Sequence, residues 1–335
     1  MPKNDPQGTL GPARWGRRVL LATTGALATA GRARAQAWPD RPVRIVVPYA
    51  AGGGPDLLAR SIAERLKILL GQPVVVDNRP GASTILATEH VANARPDGHT
   101  MLLGLSTSFV VNPHLYARLP YRVEQFQPVA PVLRSRLGVY THPATMPTRS
   151  LSDLVAAAKA RPGALSYGIT ARFNSTHLLG EAFKFTAGID VADVPYRGTG
   201  PMQQDLLRGE LAYAIDGISP YIALIRDGQL RALAVSGSER IRSLPDVPTI
   251  TEAGFPQANI SPWYGMVVPA GTPMPVVERL AAALEACLDD PAVVERFLAD
   301  GAERLHGGPT ELARMMAAED EVWARLLRSI NLRAE

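Results

Sequence analysis

The chain has 335 residues, 46% of them hydrophobic and 20% charged, an ordinary globular composition with room for two domains. Lys3, Arg14, Arg17, Arg18, Arg32 and Arg34 outweigh Asp5 and put +5 into residues 1–37, so a total of +4 leaves −1 for the rest. A near-neutral body without a basic stripe argues against a nucleic-acid partner, and no stretch is long and apolar enough to remain in a bilayer.

Residues 1–37 read as a cleaved export leader. Arg17-Arg18 precede the short apolar run Val19–Ala30, and Ala33-Arg34-Ala35 or Ala35-Gln36-Ala37 offers small residues for cleavage near Ala35 or Ala37. Gly16-Arg17-Arg18-Val19-Leu20-Leu21 fits a twin-arginine signal, and paired arginines fit an ordinary secretory leader equally. The expectation is a periplasmic protein beginning near Gln36 or Trp38.

The first strand is the apolar run Val43, Ile45, Val46, Val47. Tyr49-Ala50-Ala51-Gly52-Gly53-Gly54-Pro55-Asp56 then turns into a helix marked by Leu58, Ile62, Leu66 and Leu69 and closed by Gly71. A glycine turn feeding a helix start leaves backbone N–H groups aimed at one spot, a ready anion site. The same stretch also serves as a plain tight turn with no ligand. A strand at Val74–Val76, a loop at 78–82, a helix over Ile85–Asn93 and a strand at Thr100–Leu103 follow. Alternating strands and helices predict a parallel sheet, with ligands at its carboxyl ends. The 49–56 turn and the segment Gly104-Leu105-Ser106-Thr107-Ser108 therefore converge.

Residues 129–141 read as one crossing strand into a second alternating unit. Its strands are Leu165–Gly168, Val191–Val194, Leu211–Ile215 and Leu230–Val235, and its helices include one opened by the capping box at Ser150 and one over His177–Thr186. Residues 236–262 return the chain, Trp263–Val268 is a strand, and helices around 275–289, 291–300 and 309–329 finish it. An α/β unit interrupted by another predicts two lobes with a cleft between them. Lobe 1 is expected over 38–138 and 262–335, and lobe 2 over 139–261.

Catalytic and metal motifs are missing. There is no Gly-x-Ser-x-Gly elbow, no His-Glu-x-x-His and no cysteine pair, and the histidines show no ligand spacing. No metal or cofactor is expected. Cys287 lies on an apolar helical face and reads as a core thiol. The first strand, glycine turn and Asp77 imitate a dinucleotide site, but Pro55 removes a donor where a pyrophosphate would sit. Polar residues do gather at strand ends: Ser106, Thr107, Ser108, Thr170, Asn174, Ser175 and Thr176. They suit a carboxylate held without full countercharge, and each also suits helix capping. Asp216 ends a strand and would fix a hydroxyl, an amine, a water or its own loop. His177 opens a helix, as a capping group or as a base.

The run Trp38-Pro39-Asp40-Arg41-Pro42-Val43-Arg44-Ile45-Val46-Val47-Pro48-Tyr49-Ala50-Ala51-Gly52-Gly53-Gly54-Pro55-Asp56 resembles the start of the Bug family, the receptors of tripartite tricarboxylate transporters. Gly71–Ala82, Pro96–Thr100, Val194–Gly198, Leu230–Val235, Leu244–Thr249 and Val268–Pro273 continue the resemblance in order. It implies an α/β two-lobed periplasmic binding protein of type II, a Venus flytrap with a mainly parallel sheet flanked by helices in each lobe. It also implies a small organic carboxylate as ligand and a monomer serving membrane permease subunits or a sensor, or an orphan receptor without a permease. Carried over, the site is Tyr49, Ala51, Gly52, Gly53, Gly54, Asp56, Ser106, Thr107, Thr170, Arg172, Phe173, Asn174, Ser175, His177, Tyr196 and Asp216. Where the family's second-lobe loop carries small residues and glycines, this chain has Ala171, Arg172 and Phe173. Arg172 and Phe173 are expected either in solvent or in the cleft, Arg172 on a distal carboxylate and Phe173 over an apolar ligand body. The alternative reading is a secreted enzyme using Asp216 and His177 as an acid–base pair.

Overall fold

The structure is a computed structural model that describes residues 38–299 and 301–334, so the leader expected over residues 1–37 lies outside the described residues. All elements fall in the compact unit Arg41–Glu335. Strand β1 (Val43–Val47) buries every residue except Arg44, as a central strand covered on both faces does. Helix α1 (Gly54–Leu70) turns Leu58, Ile62, Leu66 and Leu70 inward at helical spacing. Strand β2 (Val74–Asn78), helix α2 (Ile85–Ala92) and strand β3 (Thr100–Leu105) follow. β1 pairs in parallel with β2 on one side and β3 on the other, with Ile45 opposite Val76 and Met101. A wide helical turn at Thr107–Val111 leads into the short α3 (Asn112–Leu115).

The crossing expected as one strand is two: β4 (Phe126–Arg134) and β5 (Leu137–Thr141) lie in different sheets. The break falls at Ser135-Arg136. Arg136 is buried, and its guanidinium donates to the carbonyls of Ser236 (2.8 Å) and Glu239 (2.7 Å) and pairs with Glu303. A charged group that must reach those partners cannot lie in a regular ladder, so pairing stops there.

The second unit comprises α4 (Leu151–Ala160), β6 (Ser166–Ile169), α5 (Ser175–Ala187), β7 (Ala192–Pro195), α6 (Thr199–Arg208), β8 (Tyr213–Gly217), α7 (Ile222–Arg226) and β9 (Arg231–Val235). The chain returns through β10 (Trp263–Pro269), α8 (Met274–Leu288), α9 (Pro291–Ala299), β11 (Glu303–Arg304) and α10 (Pro309–Ser329). One sheet has the order β11-β4-β10-β3-β1-β2 and the other β7-β6-β8-β5-β9. β1, β2, β3 and β4 run one way, as do β6, β7, β8 and β9, while β10, β11 and β5 run against them. The result is a two-lobed α/β fold with strands mainly in one direction and mixed ladders.

Aromatic rings fill both cores. Trp263 stacks on Phe109 (6.3 Å) and donates its indole N–H to Glu319 (2.8 Å), which docks α10 on the first sheet. Tyr167 stacks on Tyr213 (5.0 Å) and Tyr140 on Tyr221 (3.9 Å) in the second. Each such pair adds about 0.5–1.5 kcal/mol beyond the area it buries.

Candidate functional site

Parallel pairing brings the carboxyl ends of β2, β1 and β3 side by side, and their loops meet. The turn after β1 is exposed at Ala51–Gly54. Side chains added at Gly52 or Gly54 would meet open space. Asp56 is 2% exposed and turns back on its own loop: its Oδ2 accepts the Gly52 N–H (2.8 Å) and the Arg60 Nε–H (2.9 Å). The Arg60 bond and then the Gly52 N–H hold its carboxyl below the usual carboxylate range, against the opposing effect of burial. Gly52 is therefore engaged internally, and Pro55 has no N–H. Gly53 and Gly54 remain at the exposed N-terminus of the 17-residue α1, where the helix carries partial positive charge. Asn78 donates to the Tyr49 carbonyl (3.0 Å) and fixes the turn from β2. Burial, with the Tyr264 phenol beside it, raises the Tyr49 pKa and keeps its hydroxyl neutral.

Ser106, Thr107 and Ser108 are buried at the end of β3. The Ser108 hydroxyl bonds Thr84 (2.7 Å), Tyr121 donates to the Ser108 carbonyl (2.7 Å), and Asn112 donates to the Ser83 carbonyl (3.2 Å). These bonds hold Ala82, Ser83 and Thr84 at φ of 45°, 48° and 78°. Left-handed backbone costs a residue with a Cβ roughly 1–2 kcal/mol, so three in a row persist only under such bracing. Sequence reading misses this segment; Pro80-Gly81 marks a turn but not its handedness.

In the second sheet the loop after β6 is organised by Asn174. Its Oδ1 accepts the N–H groups of Thr176 (3.1 Å) and His177 (3.2 Å), and its Nδ2 donates to Thr170 Oγ1 (2.8 Å). Asn174 is thus the N-cap of α5, and Thr170 and Thr176 support it, while Ser175 is buried in the first turn. Arg172 is exposed and pairs with Asp193 of β7 (2.9 Å). Phe173 is half-buried at φ 62°. Its ring meets Tyr116 from the segment after α3 (6.3 Å) and His177 of α5 (5.5 Å). Tyr116, a site neighbour that sequence reading does not find, is pinned by the Ala334 N–H to the Leu115 carbonyl (2.9 Å).

His177 is 2% exposed and accepts the Phe173 N–H at Nδ1 (3.1 Å). Burial lowers its pKa, while Glu181 and Asp193 oppose that shift. His177, Glu181 and Asp193 place ligand atoms within 4.8 Å of one another, a geometry open to a metal. The donor set does not suit one. Nδ1 is occupied as an acceptor, which leaves the ring proton on Nε2, the atom facing the carboxylates. Lys184 (2.8 Å) already balances Glu181, and Arg172 balances Asp193. Tyr196 donates to Asp205 (2.6 Å) from the end of β7. Asp216 ends β8, 7% exposed, accepting the Gly217 N–H (2.8 Å) and bonded by Tyr221 (3.4 Å). Burial raises its pKa, against hydrogen bonds from Thr199, Gly217 and Tyr221. The carboxylates beside His177 are Glu181 and Asp193, while Asp216 is held by Gly217 and Tyr221.

The family model described as the tripartite tricarboxylate transporter family receptor matches residues 58–332. The chain is also 38% identical over 315 residues to Protein BugT of Bordetella pertussis, covering 92% of this chain and 96% of BugT. The chain belongs to this receptor family. Family members are periplasmic solute-binding receptors, and solved structures agree with the two-lobed fold. The periplasmic binding protein BugD superposes with a TM-score of 0.78 at 33% identity, covering 89% of this chain and all of BugD. An R. palustris protein solved with adipate gives 0.79 at 34% identity, covering 88% of this chain and 99% of that one. MatC from Rhodopseudomonas palustris, solved with bound malate, gives 0.76 at 32% identity, covering 87% of this chain and all of MatC.

Proposed function

We propose that this receptor captures a small organic carboxylate between a first lobe carrying the six-stranded sheet and a second lobe carrying the five-stranded sheet, with the first crossing at Ser135-Arg136 and not at the expected 138. It then delivers the ligand, as a monomer in the periplasm, to the membrane permease subunits of a tripartite tricarboxylate transporter. The observation that carries this reading is that β1 and β3 pair in parallel, so the exposed Gly53–Gly54 helix start and the buried Ser106 and Thr107 both follow the carboxyl ends of neighbouring strands. Neutral donors around a helix N-terminus suit a carboxylate better than a phosphate, which wants a cluster of bases. The adipate and malate bound by two family relatives support the same class.

A micromolar receptor needs about −8 kcal/mol of net binding free energy. One helix terminus supplies about 0.3–1 kcal/mol at an exposed site, so groups from both lobes must act together. A ligand touching both lobes stabilises the closed form over the open one. Native mass spectrometry of protein purified without refolding, followed by a thermal-shift screen of mono-, di- and tricarboxylates and aromatic acids, tests the reading. One acid should raise Tm dose-dependently and leave unchanged. A chain that ignores every acid but responds to a nucleotide refutes it.

A further inference from the structure

Phe173 combines three constraints. Its backbone is left-handed at φ 62°, a conformation that a large side chain keeps only when its surroundings enforce it. Its N–H donates to His177 Nδ1 at 3.1 Å. Its ring lies edge-on to Tyr116 at 6.3 Å and 69°. One residue thus joins the loop of the five-stranded sheet to α5 through its backbone and to the six-stranded side through its ring.

The backbone bond depends on a lone pair. Nδ1 accepts an N–H, so the neutral imidazole carries its proton on Nε2, which faces Glu181 Oε1 at 3.9 Å. A second proton has only Nδ1 to occupy. There it would confront the Phe173 N–H, donor against donor, and the bond that enforces the left-handed backbone would break. The charged groups facing the ring are Glu181 and Lys184 on α5, Asp193 on β7 and Arg172 on the loop. The two carboxylates favour the imidazolium; the two cations and, most of all, burial oppose it.

We propose that Phe173 is a proton-released latch: neutral His177 holds its ring against Tyr116 across the cleft, and protonation of His177 frees it and weakens ligand retention. The effect on retention rests on the reading that the 170–174 loop borders the ligand; the latch itself does not.

Solution NMR on the mature chain with labelled histidine, compared with His177→Gln, tests the latch without ligand. Gln offers an oxygen to the Phe173 N–H and does not titrate. At about pH 7.5 the His177 signal should be that of the Nε2-protonated tautomer, with a midpoint below the ordinary 6.5. One pH unit below the midpoint about ten rings in eleven are protonated, so the population in which His177 holds the Phe173 N–H should fall to about one in eleven, the amide should lose its protection and the Phe173–Tyr116 ring NOEs should weaken about tenfold. In His177→Gln neither should change with pH. A proton on Nδ1 at neutral pH, no protonation above about pH 4, or a Phe173 amide indifferent to the His177 titration overturns the latch. Adipate and malate then serve as binding probes. A loss of affinity in acid that is steeper in wild type than in His177→Gln supports release, and equal slopes overturn it. Failure of every acid to bind counts against the carboxylate reading alone, because the NMR titration decides the latch without ligand.

Discussion

Gly237 tests how the two chain crossings are held together. Its φ is 111°, and a Cβ built there overlaps the guanidinium of Arg136. The loop cannot shift to relieve the overlap, because Asn259 accepts the Gly237 N–H (2.7 Å) and donates to its carbonyl (2.9 Å). Gly237→Ala therefore expels the Arg136 side chain, which is 5% exposed, from the Ser236 and Glu239 carbonyls and from Glu303. Breaking a buried ion pair costs about 3–5 kcal/mol. Forcing alanine to a positive φ adds about 1 kcal/mol. Urea unfolding should show a loss of about 4–6 kcal/mol with little change in slope, within two-state analysis. Arg136→Met removes the obstacle, so Gly237→Ala in that background should cost only the backbone part, about 1 kcal/mol. Strict additivity of the two substitutions, or a Gly237→Ala protein within about 1 kcal/mol of wild type, refutes the reasoning.

Three further outcomes are expected. The lowered pKa of Asp56 means that its contribution is complete above the unfolded value of 3.8 and disappears as pH falls through the folded one. Asp56→Asn should cost about 1 kcal/mol at neutral pH, since Arg60 is half-exposed, and acid unfolding curves should converge with wild type; a gap that widens in acid contradicts this. Asp216 has the opposite sign. Its raised pKa makes the ionised form unfavourable in the fold, so Asp216→Asn should gain stability relative to wild type as pH climbs above 3.8, which pH-resolved melting will show or deny. Burial pushes the Cys287 thiol up to about 12, so iodoacetamide at about pH 8 should label it only at the rate of unfolding. Rapid stoichiometric labelling of folded protein would contradict its place in the core.

What the sequence discloses follows how local each signal is. Helix α1 and the three C-terminal helices announce themselves by apolar spacing; the C-terminal limits differ from expectation by a residue at most, while α1 begins at Gly54, inside the expected turn, and buries Leu70 where Leu69 is expected. The strand-end loops are legible because glycines and hydroxyls punctuate them. The break at Ser135-Arg136 is not. Val132 and Leu133 before it and Leu137 and Val139 after it read as one strand with a polar step at Arg134-Ser135-Arg136, and only the carbonyls of Ser236 and Glu239, a hundred residues away, show that Arg136 is drawn out of line. Asp56 reads as open to a ligand because nothing in a linear reading shows an acid folding back on Gly52. For Arg172 the linear reading offers solvent or the cleft; Asp193, its partner, lies on another strand. Tyr116 has no motif, and its importance arises only from the ring of Phe173.

The placement of β10 has a consequence for biogenesis. It sits between β3 and β4 in the six-stranded sheet, pairing Tyr264 with Leu105 on one side and Leu133 on the other. Until the ribosome has made Trp263–Pro269, the first sheet lacks its central strand, even though β1 to β4 have long since emerged. The five-stranded sheet, by contrast, is contiguous from Leu137 to Val235 and can be completed earlier. Closure of a sheet across so long a stretch of chain is slow. The growing polypeptide therefore stays incomplete, and open to chaperones, until about four-fifths of it has been synthesised.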